Sequence, residues 1–304
     1  MTDLYSHCTL CPFECGADRK NGSLGRCGCD ETMRVARIAP HYWEEPCLSG
    51  QGIEDPVKGS GTVFFVGCSL GCVFCQNQKI SSRGSKLGRA YSPKELALEM
   101  LGLQELGVHN INLVTASHFT PSVAIALELA KNAGLDIPVV YNCSGYESIN
   151  SLKMLSGLID VYMPDFKFFS SSLSRDYARC ENYSAVTLEA IKEMHRQVGA
   201  PVYGSDGFMQ RGVLVRHLVL PGSDGDSRRI ISLLHDTFGK DGIALSVMSQ
   251  YTPLSHCSDF PELTDKLSRA AYLRAVEHAQ LLGFERLYTQ GDESADESFI
   301  PEFR

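Results

Sequence analysis

Short apolar runs alternate with stretches of helical periodicity from Gly61 onward, and this alternation sets the expected fold. The runs are almost continuously apolar, which is typical of parallel strands buried on both faces. A repeated strand–helix order predicts a parallel sheet, either an open doubly wound sheet or a barrel. The predicted strands are Thr62–Val66, Asn110–Thr115, Pro138–Asn142, Asp160–Phe166, Val213–Leu220, Ile243–Ser249 and Arg286–Tyr288.

Helix signals lie between these runs. Ser92-Pro93-Lys94-Glu95 is a capping box with proline at the first helical position, and it predicts a helix that ends near Gly107. Thr120-Pro121 predicts the start of a second helix, which Gly134 can end. Apolar residues at helical spacing predict three more helices, at 183–198, 228–237 and 263–282.

Composition narrows the class of protein. The 304 residues are 43% hydrophobic and 21% charged, a globular profile, and the formal net charge of −8 disfavours broad contact with nucleic acid or anionic membrane. No apolar run approaches the roughly 20 residues that a membrane-spanning helix needs. The first residues carry neither the basic nor the apolar part of an export signal. We therefore expect a cytoplasmic protein with no nucleic-acid or membrane partner.

Cysteine usage divides the chain. Nine of the twelve cysteines lie within the first 75 residues, and a reducing compartment favours metal or cluster ligation over disulfides. We predict a Cys-rich N-terminal metal or cluster module at 1–57, an α/β region at 58–290 and an acidic tail at 291–304.

The sharpest motif is the C-x3-C-x2-C run of Cys68, Cys72 and Cys75, which follows the first predicted strand of the α/β region. Barrel enzymes build their sites on loops at this end of the strands. Three thiolates can hold three irons of a [4Fe–4S] cluster and leave the fourth iron open. A structural zinc site or a redox thiol loop is the alternative, although zinc needs a fourth ligand and none follows Cys75 closely.

With Phe74 before Cys75, this spacing resembles the signature of the radical S-adenosylmethionine (SAM) superfamily. The resemblance implies a partial (β/α)6 TIM-type barrel. It also implies that Cys68, Cys72 and Cys75 hold a [4Fe–4S] cluster whose open iron is chelated by SAM. An electron from a donor such as flavodoxin or ferredoxin would then cleave SAM to methionine and a 5′-deoxyadenosyl radical.

Further blocks look like the branch of the pyruvate formate-lyase activating enzyme over roughly residues 58–290. They lie at 61–65, 75–77, 139–142, 164–167 and 215–222, and the segment 41–47 resembles an activase-like subgroup with a Cys-rich N-terminus. The resemblance implies contacts with SAM from Phe74, Asn142, Asp165, Lys167 and His217. Two simpler interpretations stay open: Asp165 and Lys167 form a buried ion pair, and His217 is a core histidine.

One segment departs from the superfamily pattern. Thr115-Ala116-Ser117-His118 stands where Gly-Gly-Glu often binds the SAM ammonium group. Ser117 or backbone oxygens would then accept from that ammonium. Two roles remain open for His118, which either lines the substrate pocket or caps the following helix. Cys143 either faces the cavity as a hydrogen donor or is a small buried side chain.

The N-terminal cysteines have the spacing of a second site. Cys8, Cys11, Cys15 and Cys27 can form a four-thiolate set, with His7 and Cys29 as spare candidates. Zinc would make this set purely structural, whereas a second Fe–S cluster could relay electrons. Cys47 either joins this site or is simply buried.

Three functions remain open. The leading hypothesis is hydrogen abstraction from a glycine of a partner protein, because a short chain leaves little material to cap an open barrel mouth. The alternative is a radical SAM enzyme acting on a peptide or small metabolite, with residues 1–57 closing the barrel from one end. The third is a non-catalytic metal-binding protein.

Overall fold

The computed structural model describes residues 4–50, 59–254, 257–290 and Phe303. The predicted module boundary at residue 57 and the predicted acidic tail, apart from Phe303, lie outside the described residues.

Ten strands form one sheet, in the spatial order β10-β9-β8-β6-β5-β4-β2-β1-β3, with β7 paired to β8. All neighbours from β2 to β10 along this path are parallel. The strands are β1 Arg34–His41, β2 Ser60–Phe65, β3 Arg89–Ala90, β4 Ile111–Val114, β5 Val139–Cys143, β6 Val161–Pro164, β7 Val202–Tyr203, β8 Met209–Leu218, β9 Ala244–Met248 and β10 Leu287–Thr289. All seven predicted strands are therefore present.

Helices follow the parallel strands, so β2, β4, β5, β6, β8 and β9 each start a strand–helix unit. This is the predicted partial (β/α)6 barrel, with β10 as a further parallel strand. The helices are α1 Pro46–Ser49, α2 Gln78–Ser81, α3 Pro93–Glu105, α4 Thr120–Asn132, α5 Ile149–Met154, α6 Ser171–Ala178, α7 Tyr183–Val198, α8 Asp224–Phe238 and α9 Arg269–Leu282. None of these helices is both long and apolar enough to cross a membrane.

Strand β1 lies within 1–57, a region for which the sequence predicted no strand. It pairs antiparallel with β2, from Val35 opposite Phe65 to His41 opposite Ser60. The register shifts between Val35 and Arg37. Such an irregularity breaks the alternation of buried and exposed residues, which is the pattern that identifies a strand in a sequence.

The segment that follows β1 fills the inside of the barrel. Residues on the inner faces of the strands pack with Cys47 and Leu48 of α1; they are Val140, Val161, Met163, Met209, Leu214 and Ala244. The Asn110 side-chain amide donates to the Leu48 carbonyl oxygen at 2.7 Å. Ser246 Oγ donates to Glu45 Oε1 at 2.8 Å. The N-terminal region thus closes the barrel from the amino ends of the strands, and Cys47 is a buried residue of this packing.

The capping box at the start of α3 is present as predicted. Ser92 Oγ accepts from the Glu95 backbone N–H at 3.2 Å, and the Glu95 carboxylate accepts from the Ser92 backbone N–H at 2.8 Å. The two bonds satisfy donors that the first turn of a helix would otherwise leave unpaired.

We expect Ser92→Ala to lower the free energy of unfolding by about 1 kcal/mol, because the cap bond to Glu95 is lost. Ser148→Ala is the matched control, since Ser148 precedes α5 without a side-chain cap bond. Urea unfolding of both variants measures the difference. An equal loss in the two would contradict the role of the capping box.

Candidate cofactor site

The three-cysteine loop leaves the carboxyl end of β2 through Gly67, whose φ of +90° favours glycine. Phe74 anchors the loop, because its buried ring packs against Phe168 and Tyr177 with centroids 5.9 and 6.4 Å away. The Val73 backbone N–H donates to the Tyr177 carbonyl oxygen at 2.9 Å. The predicted cofactor contact Phe74 therefore has a structural role in holding the loop, and its contact with SAM stays a prediction.

The thiols of this loop share one electrostatic environment. Burial raises the pKa of Cys72, Lys167 opposes that rise, and Cys68 and Cys75 add to it. Burial also raises the pKa of Cys68, with a further contribution from Cys75. Ser81 Oγ donates to Cys75 Sγ at 3.2 Å. The three predicted cluster ligands therefore lie close enough to affect one another's pKa, and Lys167, which follows β6, acts on Cys68 and Cys72.

A network of charged and amide groups lies next to these thiols. Lys167 Nζ pairs with Asp165 Oδ2, and Arg216 Nε pairs with Asp165 Oδ1 at 3.0 Å. Arg216 Nη2 also donates to Asn142 Oδ1 at 2.8 Å. The structure therefore brings together the predicted residues Asn142, Asp165 and Lys167, and the ion pair expected as the alternative is present.

Two members of the network were missed by the sequence analysis. Arg216 is one, and Glu44 is the other, with its Oε2 3.1 Å from Arg216 Nη1 and its Oε1 accepting from the Asn142 amide at 3.4 Å. Arg216 and His217 interrupt the apolar run of the predicted strand Val213–Leu220, and strand alternation puts such neighbours on opposite faces. A charged residue on the inner face of a barrel strand was the signal available.

His217 lies apart from this network. Its Nδ1 donates to the Phe166 carbonyl oxygen at 2.6 Å, so Nε2 is the acceptor nitrogen, and that atom is buried without a partner among the described residues. Burial lowers the pKa of His217. The ring is therefore neutral at pH 7, and its contact with the SAM nucleoside stays a prediction.

Ser117 and His118 have hydrogen-bond partners outside this network. Ser117 Oγ donates to Glu147 Oε1 at 2.8 Å, and burial raises the pKa of Glu147 to about 7. His118 Nε2 lies 2.7 Å from the Val66 carbonyl oxygen. The start of α4 has no side-chain cap bond. Of the two roles left open for His118, the structure does not show capping of this helix, and lining of the substrate pocket stays a prediction, as does the contact between Ser117 and SAM.

Cys143 is buried in the core between the sheet and the helices, as its neighbour Tyr141 is. Asn142, between them, points to the inner face toward Arg216. Of the two interpretations left open for Cys143, the structure favours the small buried side chain.

Among the described residues, thiols of the predicted N-terminal set lie near one another without forming a closed site for a single metal ion. Burial raises the pKa of Cys11 to about 12, and Cys27, Cys8 and Cys15 contribute to that rise. A Cβ atom on Gly25 would lie 3.3 Å from Cys27 Sγ and 3.6 Å from Cys15 Sγ. A hydrogen bond with Cys29 lowers the pKa of Cys27. In the described part of the chain, no three His, Cys, Asp or Glu side chains converge closely enough for one metal ion.

The family model of the Radical SAM superfamily matches residues 62–233, more than half of the chain. The chain belongs to the radical SAM superfamily. Membership implies a [4Fe–4S] cluster and SAM as cofactors. The narrower resemblance to the pyruvate formate-lyase activating branch stays a prediction.

One curated relative is "Uncharacterized protein MJ0674" of Methanocaldococcus jannaschii, 27% identical over 293 residues, which cover 94% of this chain and 78% of the relative. Among solved structures, Streptococcus suis SuiB bound to precursor peptide SuiA is similar over 75% of this chain, with 13% identity and a TM-score of 0.49. SuiB bound to S-adenosylmethionine gives 10% identity and the same TM-score. The chain spans less than half of SuiB, 47% and 46% of the two chains.

We expect Arg216→Met to lower the free energy of unfolding near pH 7 by about 3–5 kcal/mol, because it leaves Glu44 buried without its cation and Asp165 paired with Lys167 alone. Burial alone would raise the pKa of Asp165, but Arg216 and Lys167 hold it below its ordinary value. Such a carboxylate stabilises the fold above its unfolded pKa of about 3.9 and loses that effect as pH falls through the folded pKa. The difference between wild type and variant should therefore shrink below about pH 4.

Urea unfolding over a pH series measures this difference. Arg196→Met is the control, because Arg196 pairs with Glu193 on the surface with 63% of its side chain exposed, and such pairs contribute about 0–1 kcal/mol. A pH-independent difference, or a loss no larger than in Arg196→Met, would contradict the proposed charge balance.

Proposed function

We propose that this chain cleaves SAM reductively and uses the radical on a glycine of a partner polypeptide. The observation that carries the proposal is the loop of Cys68, Cys72 and Cys75 at the carboxyl end of β2, where Lys167 acts on the thiols of Cys68 and Cys72. When bound, a cluster and SAM would supply a 5′-deoxyadenosyl radical that abstracts hydrogen from substrate. The cofactor proposal includes a second metal centre, zinc or a second Fe–S cluster, on the N-terminal cysteines Cys8, Cys11, Cys15 and Cys27.

The donor chemistry at the strand ends fits these cofactors. Cysteine thiolates are the ligands that [4Fe–4S] clusters take. The methionyl part of SAM carries an ammonium and a carboxylate, and the network offers groups of both signs in Asp165, Lys167 and Arg216. These side chains are only 15–18% exposed, so they would hold a zwitterion in place with little competition from water. Asn142 adds an amide whose oxygen Arg216 already orients.

The loops over the carboxyl ends of the strands support a polypeptide substrate. Four of the connections, at 115–119, 144–148, 165–170 and 219–223, are five or six residues long, whereas those after β2 and β9, at 66–77 and 249–268, are longer. The four short loops cannot fold over the mouth as a lid, yet a radical reaction needs water excluded from the site. A polypeptide that covers the mouth as it binds would provide that exclusion.

A peptide or small metabolite is the second candidate. It is supported by the packing of Cys47 and Leu48 inside the barrel, which closes the end opposite the thiol loop. With that end closed, a small substrate would have one entrance and a bounded pocket.

We expect Cys72→Ala to abolish formation of 5′-deoxyadenosine after anaerobic reconstitution with iron and sulfide, reduction and addition of SAM. The iron count and visible absorbance of the cluster should fall in parallel. Cys47→Ala is the matched control, because Cys47 is buried in the barrel interior and should leave both unchanged. Continued 5′-deoxyadenosine formation in Cys72→Ala would overturn the cluster assignment.

Substrate class is tested with extracts of cells grown on α-deuterated glycine, separated into protein and small-molecule fractions. Deuterium in 5′-deoxyadenosine after incubation with the protein fraction is the expected result. Deuterium from the small-molecule fraction alone would favour the second candidate, and SAM cleavage without deuterium from either fraction would exclude a glycine hydrogen.

A further inference from the structure

A buried cation with no carboxylate among its hydrogen-bond partners lies beside the N-terminal thiols. Arg19 is fully buried, with 0% of the residue exposed. Its guanidinium donates to the carbonyl oxygens of Cys29 at 3.1 Å, Asp30 at 2.7 Å and His118 at 2.7 Å. Its Nη1 also contacts Cys8 Sγ, at 3.6 Å. The described residues thus give the guanidinium three carbonyl oxygens and one thiol as partners, and no carboxylate.

A cation this deeply buried requires negative charge nearby. Removing a guanidinium from water costs several kcal/mol, and carbonyl dipoles alone do not balance its charge. The aromatic faces of Tyr5 and Phe119, 4.9 and 5.5 Å from the guanidinium carbon, add only a modest attraction. Thiols beside Arg19 can become anions: Cys8 contacts the guanidinium directly, and Cys27 Sγ and Arg19 Cδ would each lie 3.3 Å from a Cβ atom on Gly25.

Metal binding would supply that negative charge. Thiols lose their protons when they ligate a metal. Four thiolates around a divalent ion, or around a cluster, leave the centre with net negative charge. Three thiols of the predicted set lie beside Arg19 and Gly25: Cys8 Sγ is 3.6 Å from Arg19 Nη1, and a Cβ atom on Gly25 would lie 3.3 Å from Cys27 Sγ and 3.6 Å from Cys15 Sγ. Cys11 joins them through the C-x2-C-x3-C spacing that it shares with Cys8 and Cys15.

We propose that Arg19 is the buried counter-cation of a four-thiolate metal centre formed by Cys8, Cys11, Cys15 and Cys27. This inference rests on the second metal centre in the proposed function. It adds that the negative charge of that centre balances the buried guanidinium. Cys29 is outside the ligand set, because its thiol donates to the Val66 carbonyl oxygen at 3.3 Å. Zinc and an Fe–S cluster share this thiolate chemistry, and metal analysis distinguishes them.

The first experiment counts metal in the full chain. The triple variant Cys68→Ala, Cys72→Ala, Cys75→Ala is assembled anaerobically with iron, sulfide and zinc, so that metal bound at the barrel loop does not contribute. We expect it to retain either one zinc or an iron–sulfide set per chain. Adding Cys11→Ala should remove that metal, whereas adding Cys47→Ala should not. A triple variant without metal would overturn the centre while leaving the reaction at the barrel loop untouched.

The second experiment tests Arg19 itself in the triple variant. Arg19→Met removes the charge with little change of side-chain length. We expect this variant to lose its metal at an EDTA concentration at least roughly tenfold lower than the triple variant that keeps Arg19. Arg19→Lys keeps the charge with fewer hydrogen-bond donors, so the EDTA concentration that removes its metal should lie between those for Arg19→Met and for the parent triple variant. Arg175→Met, on an arginine with 54% of its side chain exposed, is the control and should match the parent.

Circular dichroism of each variant separates metal loss from unfolding. Retention of metal by a folded Arg19→Met protein equal to that of Arg175→Met would overturn the role of Arg19. Loss of metal from Cys29→Ala together with retention in Cys15→Ala would overturn the ligand set.

Discussion

The guanidinium of Arg216 is the group that joins the parts of this structure. It contacts Asp165 at the end of β6, Asn142 on β5 and Glu44 from the N-terminal segment. A charge buried among strands is tolerated only while its partners stay in place. The N-terminal segment and the barrel therefore cannot separate without leaving charges unpaired, although the sequence suggests a boundary between them.

The same network fixes charged groups at the carboxyl ends of the strands. Asp165 connects Arg216 with Lys167, and Lys167 in turn acts on Cys72. The Tyr183 hydroxyl fixes the backbone here, because it accepts from the Lys167 N–H at 3.0 Å and lies 2.6 Å from the Ser144 carbonyl oxygen. Groups held on strand ends by such bonds keep their geometry before a ligand arrives, which is what preorganised binding requires.

What could be predicted from the sequence depended on local signals. The parallel strands were found because residues buried on both faces form continuous apolar runs, and the α3 start was found because Ser92 and Glu95 lie three residues apart. Strand β1 was missed because its register shift disrupts alternation. The pair of Glu44 with Arg216 was missed because 172 residues separate the partners, and a single sequence carries no signal for such a contact.

Close packing at Gly67 joins the N-terminal cysteines to the thiol loop of the barrel. A side chain there would collide with Cys29 Sγ, and its Cβ would lie 2.8 Å from the Cys27 carbonyl oxygen. Next to Cys27, Arg26 Nε donates to the Ser69 carbonyl oxygen at 3.2 Å, inside the loop that begins at Cys68. The turn bearing Cys27 thus packs on the first residues of the barrel's thiol loop. Any ligand that orders the turn bearing Cys27 therefore also restricts the loop that begins at Cys68, because the two segments contact each other directly.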